Sequence, residues 1–245
     1  MAIEAGGVAH GEDLSAGEFG DADLAGARFE NCVLRDVQLT GTCLQDARFR
    51  DCRIIRCRFA NADLRDARFE NCSFADDAGH AGVQFAFSQL DQAAFERCDL
   101  SFARIERSSL HAGALRGCNL RGAVFHKVDF GHALGRRLVK WAGVIADCNL
   151  ELADLSELRM PDCTLTGSRL REALLFDAEL EGADLRGCDF TNAQLAGAKL
   201  ARADLRGGEL AGMVLRELGS VEGMMVSADQ QFALLTALGL DVHPD

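Results

Sequence analysis

The stretch from Gly26 to Cys72 reads GARFENC (Gly26–Cys32), DARFRDC (Asp46–Cys52) and DARFENC (Asp66–Cys72), each copy displaced by twenty residues. A finer beat of five runs inside it: a small residue, a variable one, Leu or Phe, then two more variable ones. Leu64, Phe69 and Phe74 keep that beat, with Ala62, Ala67 and Cys72 two places before each. Self-similarity at a fixed period outranks local propensity as evidence of architecture. An α-helix repeats its apolar residues near 3.6 and a strand near 2, and five fits neither. A chain that turns a corner every five residues and sends the central Leu or Phe inward does fit. The residue two before must be small because it too points into a narrow core. Four fives make one twenty, so the expected fold is an all-β solenoid, a quadrilateral β-helix. Residues twenty apart then stack at about 4.7–4.9 Å, and each coil buries its apolar rungs against its neighbours.

The first run is unbroken from Leu14 to Phe74. Phe74 to Phe85 is then eleven residues, so residues 75–84 (ADDAGHAGVQ) hold six more than the beat allows. Their Gly and Asp content reads as a loop extruded at a corner. A second run, Phe85 to Phe130, stops at residues 131–144 (GHALGRRLVKWAGV), which lose the small-residue grammar although Ile145 resumes in phase. This is a second, longer loop. The third run continues to Leu215. Met1–Gly11 lies outside the beat, and the beat ends at Leu218. The expected organisation is therefore a solenoid over residues 1–218, with loops at 75–84 and 131–144, and a tail over 219–245.

The tail predicts a short C-terminal α-helix. Ser227 and Gln230 have the spacing of a capping box. Phe232, Leu235 and Leu238 share one stripe with Leu234 beside it. Gly239 stops the helix as a left-handed cap, with Leu240 packing back in the manner of a Schellman motif. Residues 240–243 (LDVH) read as a short strand. A solenoid must blunt its open end, so the tail is a cap. A stripe this apolar can also bury itself against a second copy in a two-fold dimer, with Phe232, Leu234, Leu235, Leu238 and Leu240 as the interface.

Cysteine usage could suggest a metal site, but its placement argues otherwise. Of the ten cysteines, Cys32, Cys52, Cys57, Cys72, Cys98, Cys118, Cys148, Cys163 and Cys188 occupy the small inward position, and only Cys43 does not. They interchange there with Ala, Ser and Gly, as small buried apolar residues do. There is no CxxC, and zinc needs ligands converging on one point. Free structural thiols are expected, with no metal and no cofactor. The histidines (His10, His80, His111, His126, His132, His243) are scattered, and no phosphate-cradling Gly loop or HExxH occurs. A convex rod has no pocket in which paired carboxylates could be tuned, so an enzyme is not expected. No apolar run approaches the roughly 18 residues of a membrane span. The N-terminus lacks the basic and apolar regions of a signal peptide, so a cytoplasmic protein is expected. A net charge of −12 argues against direct nucleic-acid binding.

The A(D/N)LXX beat, as in Ala62–Asp63–Leu64, resembles the pentapeptide-repeat proteins, whose fold is a right-handed quadrilateral β-helix. Within that family the two interruptions are similar in position and length to the loops of the Qnr branch. So are CDLSFARIERSSL (Cys98–Leu110) and the ending QQFALLTALGLDV (Gln230–Val242), which resembles a dimerising helix-and-strand tail. The resemblance implies a non-enzymatic homodimer that binds DNA gyrase and/or topoisomerase IV and protects them from fluoroquinolones. It would do so as a negatively charged, DNA-mimicking rod whose loops touch the enzyme. Two other readings stay open: a scaffold rod with an unrelated protein partner, and self-immunity to a natural gyrase poison.

On that resemblance the expected topoisomerase contacts are Asp76, Asp77 and His80 in the smaller loop and Arg136, Arg137, Lys140 and Trp141 in the larger. The larger loop is basic here, a departure from the Qnr pattern. Trp141 serves either as an interface anchor or to pin its own loop to the rod. Whole-rod mimicry falls short: a duplex carries about one charge per 1.7 Å, so a rod of roughly 45 Å needs about 26. The chain supplies a net −12. Mimicry would need a concentrated face. The candidate acidic strip pairs Asp184 with Asp204 on one side and Asp189 with Glu209 on the next, with Arg186 and Arg206 close by. An ordinary mixed-charge surface is the alternative.

Overall fold

The computed structural model describes residues 3–76, 81–134, 138–241 and 243. Its backbone is a parallel ladder. Val8, Arg28, Arg48, Arg68, Ala94, Ala114, Val144, Thr164, Asp184, Asp204 and Met225 are each bridged to the next, and together they trace one face of the solenoid. The other faces run in the same sense, through Asp13–Val33–Arg53, Gln38–Arg58–Gln84 and Asp23–Cys43–Asp63. The twenty-residue period is the coil.

Burial follows the beat of five. Leu64, Phe69 and Phe74 are buried, and so are Ala62, Ala67 and Cys72. Phe29, Phe49, Phe69 and Phe95 form a stack with ring centroids 4.5, 4.8 and 4.7 Å apart and planes within 11°. Isolated aromatic pairs prefer offset or edge-to-face geometry; here the strand spacing sets the ring spacing. The inward cysteines are free and buried, while Cys43 is half-exposed. Burial pushes the Cys163 and Cys188 thiols up to about 12, which leaves them un-ionised and unreactive at neutral pH.

The fifth residue of each beat looks unconstrained in sequence, but the structure constrains it. It takes a left-handed conformation at most corners, with φ of 57° at Asp46, 51° at Asn61 and 60° at Asp66. Gly, Asn and Asp recur there because they visit this region at little cost. Leu152 holds the same conformation at φ 60° while its side chain is largely exposed. Leu152→Asn is therefore expected to stabilise the protein by about 0.5–1 kcal/mol, read as a higher urea midpoint at unchanged slope.

At both ends the coils extend beyond the runs that keep the beat. At the start, residues 8–10 pair with 28–30 and Ala9 is buried, so the first coil begins within Met1–Gly11, ahead of the first marked side at Leu14. Ala stands where Leu or Phe would mark the beat. At the far end the bridges Lys199–Ser220 and Asp204–Met225 continue past Leu218. A 3-10 turn at Leu215–Glu217 adds one residue to that coil, which shifts the beat out of phase.

The two interruptions lie within the expected stretches 75–84 and 131–144, but Gln84, Gly143 and Val144 already belong to the next coil. Phe69 pairs with Phe95, six residues later than the twenty-residue register, and Leu115 with Ile145, ten later. The coil thus closes beneath each insertion.

Candidate functional site: hairpin, rod face and tail

The larger insertion is an antiparallel hairpin, not the irregular loop its sequence suggests. Gly131–Leu134 pairs with Leu138–Trp141, in the register Gly131–Trp141, His132–Lys140 and Ala133–Val139. Four side chains fix its base to the rod. Trp141 is half-buried against the core, and the Arg159 guanidinium lies 5.0 Å from its ring centroid. Arg159 donates from Nε to Glu179 at 2.7 Å, and Lys199 donates to the same carboxylate at 3.0 Å. These two cations hold the Glu179 carboxyl below the usual range. Arg159, Glu179 and Lys199 occupy one column of successive rungs, so the rod itself aims the cation at the indole. On the other side the His111 and His132 rings lie 5.2 Å apart, and His111 donates from Nδ1 to the Phe130 carbonyl at 3.0 Å.

Trp141 thus pins its own hairpin to the rod, while Lys140 and Val139 are exposed on the second strand. Arg136 and Arg137 lie outside the described residues. Neither Arg159 nor His111 is evident as an anchor from sequence, because each meets the hairpin from another coil. Arg159→Ala is expected to speed amide exchange at residues 139–141 about fivefold, the worth of a cation–π contact near 1 kcal/mol. Rod amides should be unaffected.

The smaller insertion is closed at its neck. The Asp76 amide donates to the Ala81 carbonyl at 3.1 Å, and the Ala81 amide donates back to the Asp76 side chain at 3.4 Å. Asp77 and His80 lie outside the described residues.

The acidic strip forms in register but not in charge. Asp184 stacks on Asp204, and Asp189 on Glu209. Arg186 pairs with Asp184 at 2.6 Å and Arg206 with Asp204 at 2.7 Å, while Arg186 also approaches Asp204 to 3.8 Å. Those guanidinium hydrogen bonds hold both carboxyls below the usual range. Arg171 approaches Asp189 to 3.8 Å. Only Glu209 presents its charge without such a neighbour among the described residues. The strip is a mixed-charge surface.

The tail divides its work between cap and exposed face. The capping box is present, with Gln230 Oε1 accepting from the Ser227 amide at 2.7 Å. Gln230 does more than its spacing suggests. It is buried, and its Nε2 donates to the carbonyls of Leu205 and Gly208, each at 2.7 Å, which ties the helix to the last rungs. Leu234, expected at a dimer interface, is instead buried in the core. Phe232, Leu238 and Leu240 are 59%, 41% and 53% exposed, and Leu235 is half-buried. The helix, Gln231–Ala237, ends in a full Schellman motif: Leu240 donates to Leu235, Gly239 to Thr236, and Gly239 has φ 83°. The expected strand over 240–243 is absent at Leu240, Asp241 and His243. An extended segment has no ladder without a partner strand, and the described residues offer none there.

Among the described residues no group of three or more His, Cys, Asp or Glu is placed to hold a metal ion. No helix among them is long and apolar enough to cross a membrane.

Comparisons with known proteins agree with this architecture. A family model described as a pentapeptide repeat region matches residues 12–78, and a second, pentapeptide repeats in eight copies, matches 106–133 and 173–212. No curated protein matches in sequence. Full-length QnrB1, a plasmid-mediated fluoroquinolone resistance protein, is similar in structure with a TM-score of 0.73 at 25% identity, over 98% of this chain and 99% of that one. A trypsin-treated variant of QnrB1 is similar at 0.72 and 24% identity over the whole of both chains.

Proposed function

The chain belongs to the pentapeptide-repeat family, and from that premise we propose that it is a non-enzymatic protein that binds DNA gyrase or topoisomerase IV and protects it from fluoroquinolones. The observation that carries this reading is the extent of the likeness to a fluoroquinolone resistance protein. It spans 98% of this chain and 99% of that one, so rod, insertions and tail are all included. A rod shared only in its repeats would leave the hairpin and helix unmatched.

In this reading the hairpin is the main enzyme contact, presented at a fixed angle by Trp141 and Arg159. The tail joins two copies. Phe232, Leu238 and Leu240 are exposed at its surface, and burying each fully is worth about 1.5–3 kcal/mol. DNA mimicry by the strip of Asp184, Asp189, Asp204 and Glu209 draws little support, because arginines sit against three of its four carboxylates. Recognition then rests on the hairpin, the neck at Asp76 and the tail.

The test is DNA supercoiling by purified gyrase in the presence of ciprofloxacin, with this protein titrated in. Supercoiling restored at near-stoichiometric protein is the expected result. Inhibition without rescue would indicate competition with DNA and no protection. No effect by folded protein would favour the scaffold reading.

A further inference from the structure

On the first face of the rod, Arg28, Arg48 and Arg68 occupy the same place in three successive rungs, bridged in parallel register. All three are exposed, and among the described residues none of their side chains has an ion-pair or hydrogen-bond partner. Nearby arginines do: Arg56 pairs with Asp36 at 2.6 Å, Arg97 with Glu70 at 2.6 Å and Arg50 with Glu70 at 3.3 Å. The three line a shallow groove of about 430 Å³ that Glu30, Arg50 and Glu70 also line, with the buried Phe29 and Phe49 beneath. Val8 precedes the row and Ala94 follows it, so it is confined to three rungs.

Like charges directly opposite on neighbouring strands destabilise a sheet. Elsewhere this rod supplies a carboxylate from the same or the next rung, as at Arg186 and Arg206. Here the carboxylates of the same strands turn elsewhere, Glu30 toward His10 at 3.6 Å and Glu70 toward Arg50 and Arg97, although carboxylates outnumber cations to give a net −12.

We propose that this row is a docking surface for an α-helix of a partner protein that carries a stripe of Asp or Glu along one side. The pitch selects a helix. Rungs rise about 4.7–4.9 Å, so the guanidinium roots stand about 4.8 and 9.6 Å along the axis from the first. Helix residues at i+3 or i+4 and at i+7 stand about 4.5–6 and 10.5 Å from residue i. An extended strand repeats one face about every 6.6 Å and is out of step by the second rung. A DNA duplex, at about one charge per 1.7 Å, presents far more charge than three arginines can neutralise, to a rod whose net charge repels it. Each guanidinium can take a carboxylate in two hydrogen bonds. The adjacent row, two residues further along each strand, is Glu30, Arg50 and Glu70. Its alternating sign fixes the helix in register, favouring basic residues beside the outer carboxylates.

The experiment uses the full chain and fluorescein-labelled, end-blocked, alanine-rich peptides. One carries Glu at i, i+4 and i+7; the other has the same composition with Glu dispersed around the helix. By fluorescence anisotropy the aligned peptide is expected to bind at least tenfold tighter. The triple variant Arg28→Gln, Arg48→Gln, Arg68→Gln should lose that preference, and the control Arg116→Gln, Arg169→Gln, Arg202→Gln should keep it. The charge reversal Arg28→Glu, Arg48→Glu, Arg68→Glu should transfer the preference to a peptide with aligned Lys. The triple Gln variant should melt no lower than the parent, since it relieves repulsion; a lower melting temperature would make the row structural and overturn the proposal. Equal binding of both peptides, no binding of either, or a preference that survives the triple variant would also overturn it. A labelled duplex that binds tighter than the aligned peptide, and is lost in the triple variant, would assign the row to nucleic acid instead.

Discussion

Excising residues 132–141 is expected to abolish protection of gyrase while leaving the rod folded. Leu115 pairs with Ile145 ten residues beyond the twenty-residue register, so the deletion restores an ordinary coil. Ala142 already donates to the Phe130 carbonyl across the base of the hairpin, which brings the new junction within reach of a turn. Stability should change little, because the hairpin adds antiparallel pairs only to itself and its main debt to the rod is the Trp141 ring. Supercoiling with ciprofloxacin, alongside a thermal melt, checks both halves. A deleted protein that melts like the parent and still protects fully would show that the hairpin is not the enzyme contact. A partial test comes from Trp141→Ala, which leaves the hairpin sequence present but loosened. It should weaken protection several-fold without abolishing it, since a cation–π contact of about 1 kcal/mol changes a population about fivefold.

The second large effect lies in the core. Phe49→Ala is expected to cost about 3–5 kcal/mol, the usual price of emptying a buried aromatic site. Phe49 is stacked between Phe29 and Phe69, and the two rings cannot close the gap because the backbone ladder fixes their spacing. A solenoid is stabilised coil by coil through its neighbours, so the loss should also uncouple the first coils from the rest. Hydrogen exchange is expected to rise in residues 8–50 more than in residues 145–205. Thermal melting should show a fall of roughly 6–20 °C. A uniform rise in exchange along the whole chain would mean that the rod folds as one cooperative unit. Truncation at the exposed Leu152 is the matched control, with an effect within about 0.5 kcal/mol.

Much of the fold was legible because a period of five admits so few solutions. Once Leu64, Phe69 and Phe74 were read as successive sides, the columns of stacked residues followed by counting in twenties. Asp184 over Asp204 and Phe29 under Phe49 are both in that register. The helix cap and stop were equally legible, since a capping box and a left-handed Gly239 are local devices. The beat failed where a coil departed from its own rule. Ala9 is too small to mark a side, and the 3-10 turn at Leu215–Glu217 put the last coil out of phase.

The candidate surfaces were less legible, and for a different reason. Counting in twenties says which residues are neighbours, but not which of them pair. Arg186 and Arg206 turn in on the aspartates beside them, so the negative charge of the strip is balanced by adjacent cations. Arg28, Arg48 and Arg68 keep theirs because no carboxylate reaches them. Gln230 reads as half of a capping box, yet its other end holds two carbonyls of the last coil. Leu234 turns into the rod while Phe232 turns away, although both lie on the apolar side of one short helix.

By itself the sequence determined the coil, its four sides, the places of both insertions and the presence of a terminal helix. Each of these follows from which positions must be small, apolar or left-handed, and such constraints repeat along the chain. Only the tertiary structure decided how the hairpin is aimed, which charges are spent within the rod and which face outward, and which part of the tail caps and which remains open. Those outcomes depend on side chains from different coils meeting at particular distances, and no repeat in the sequence encodes them.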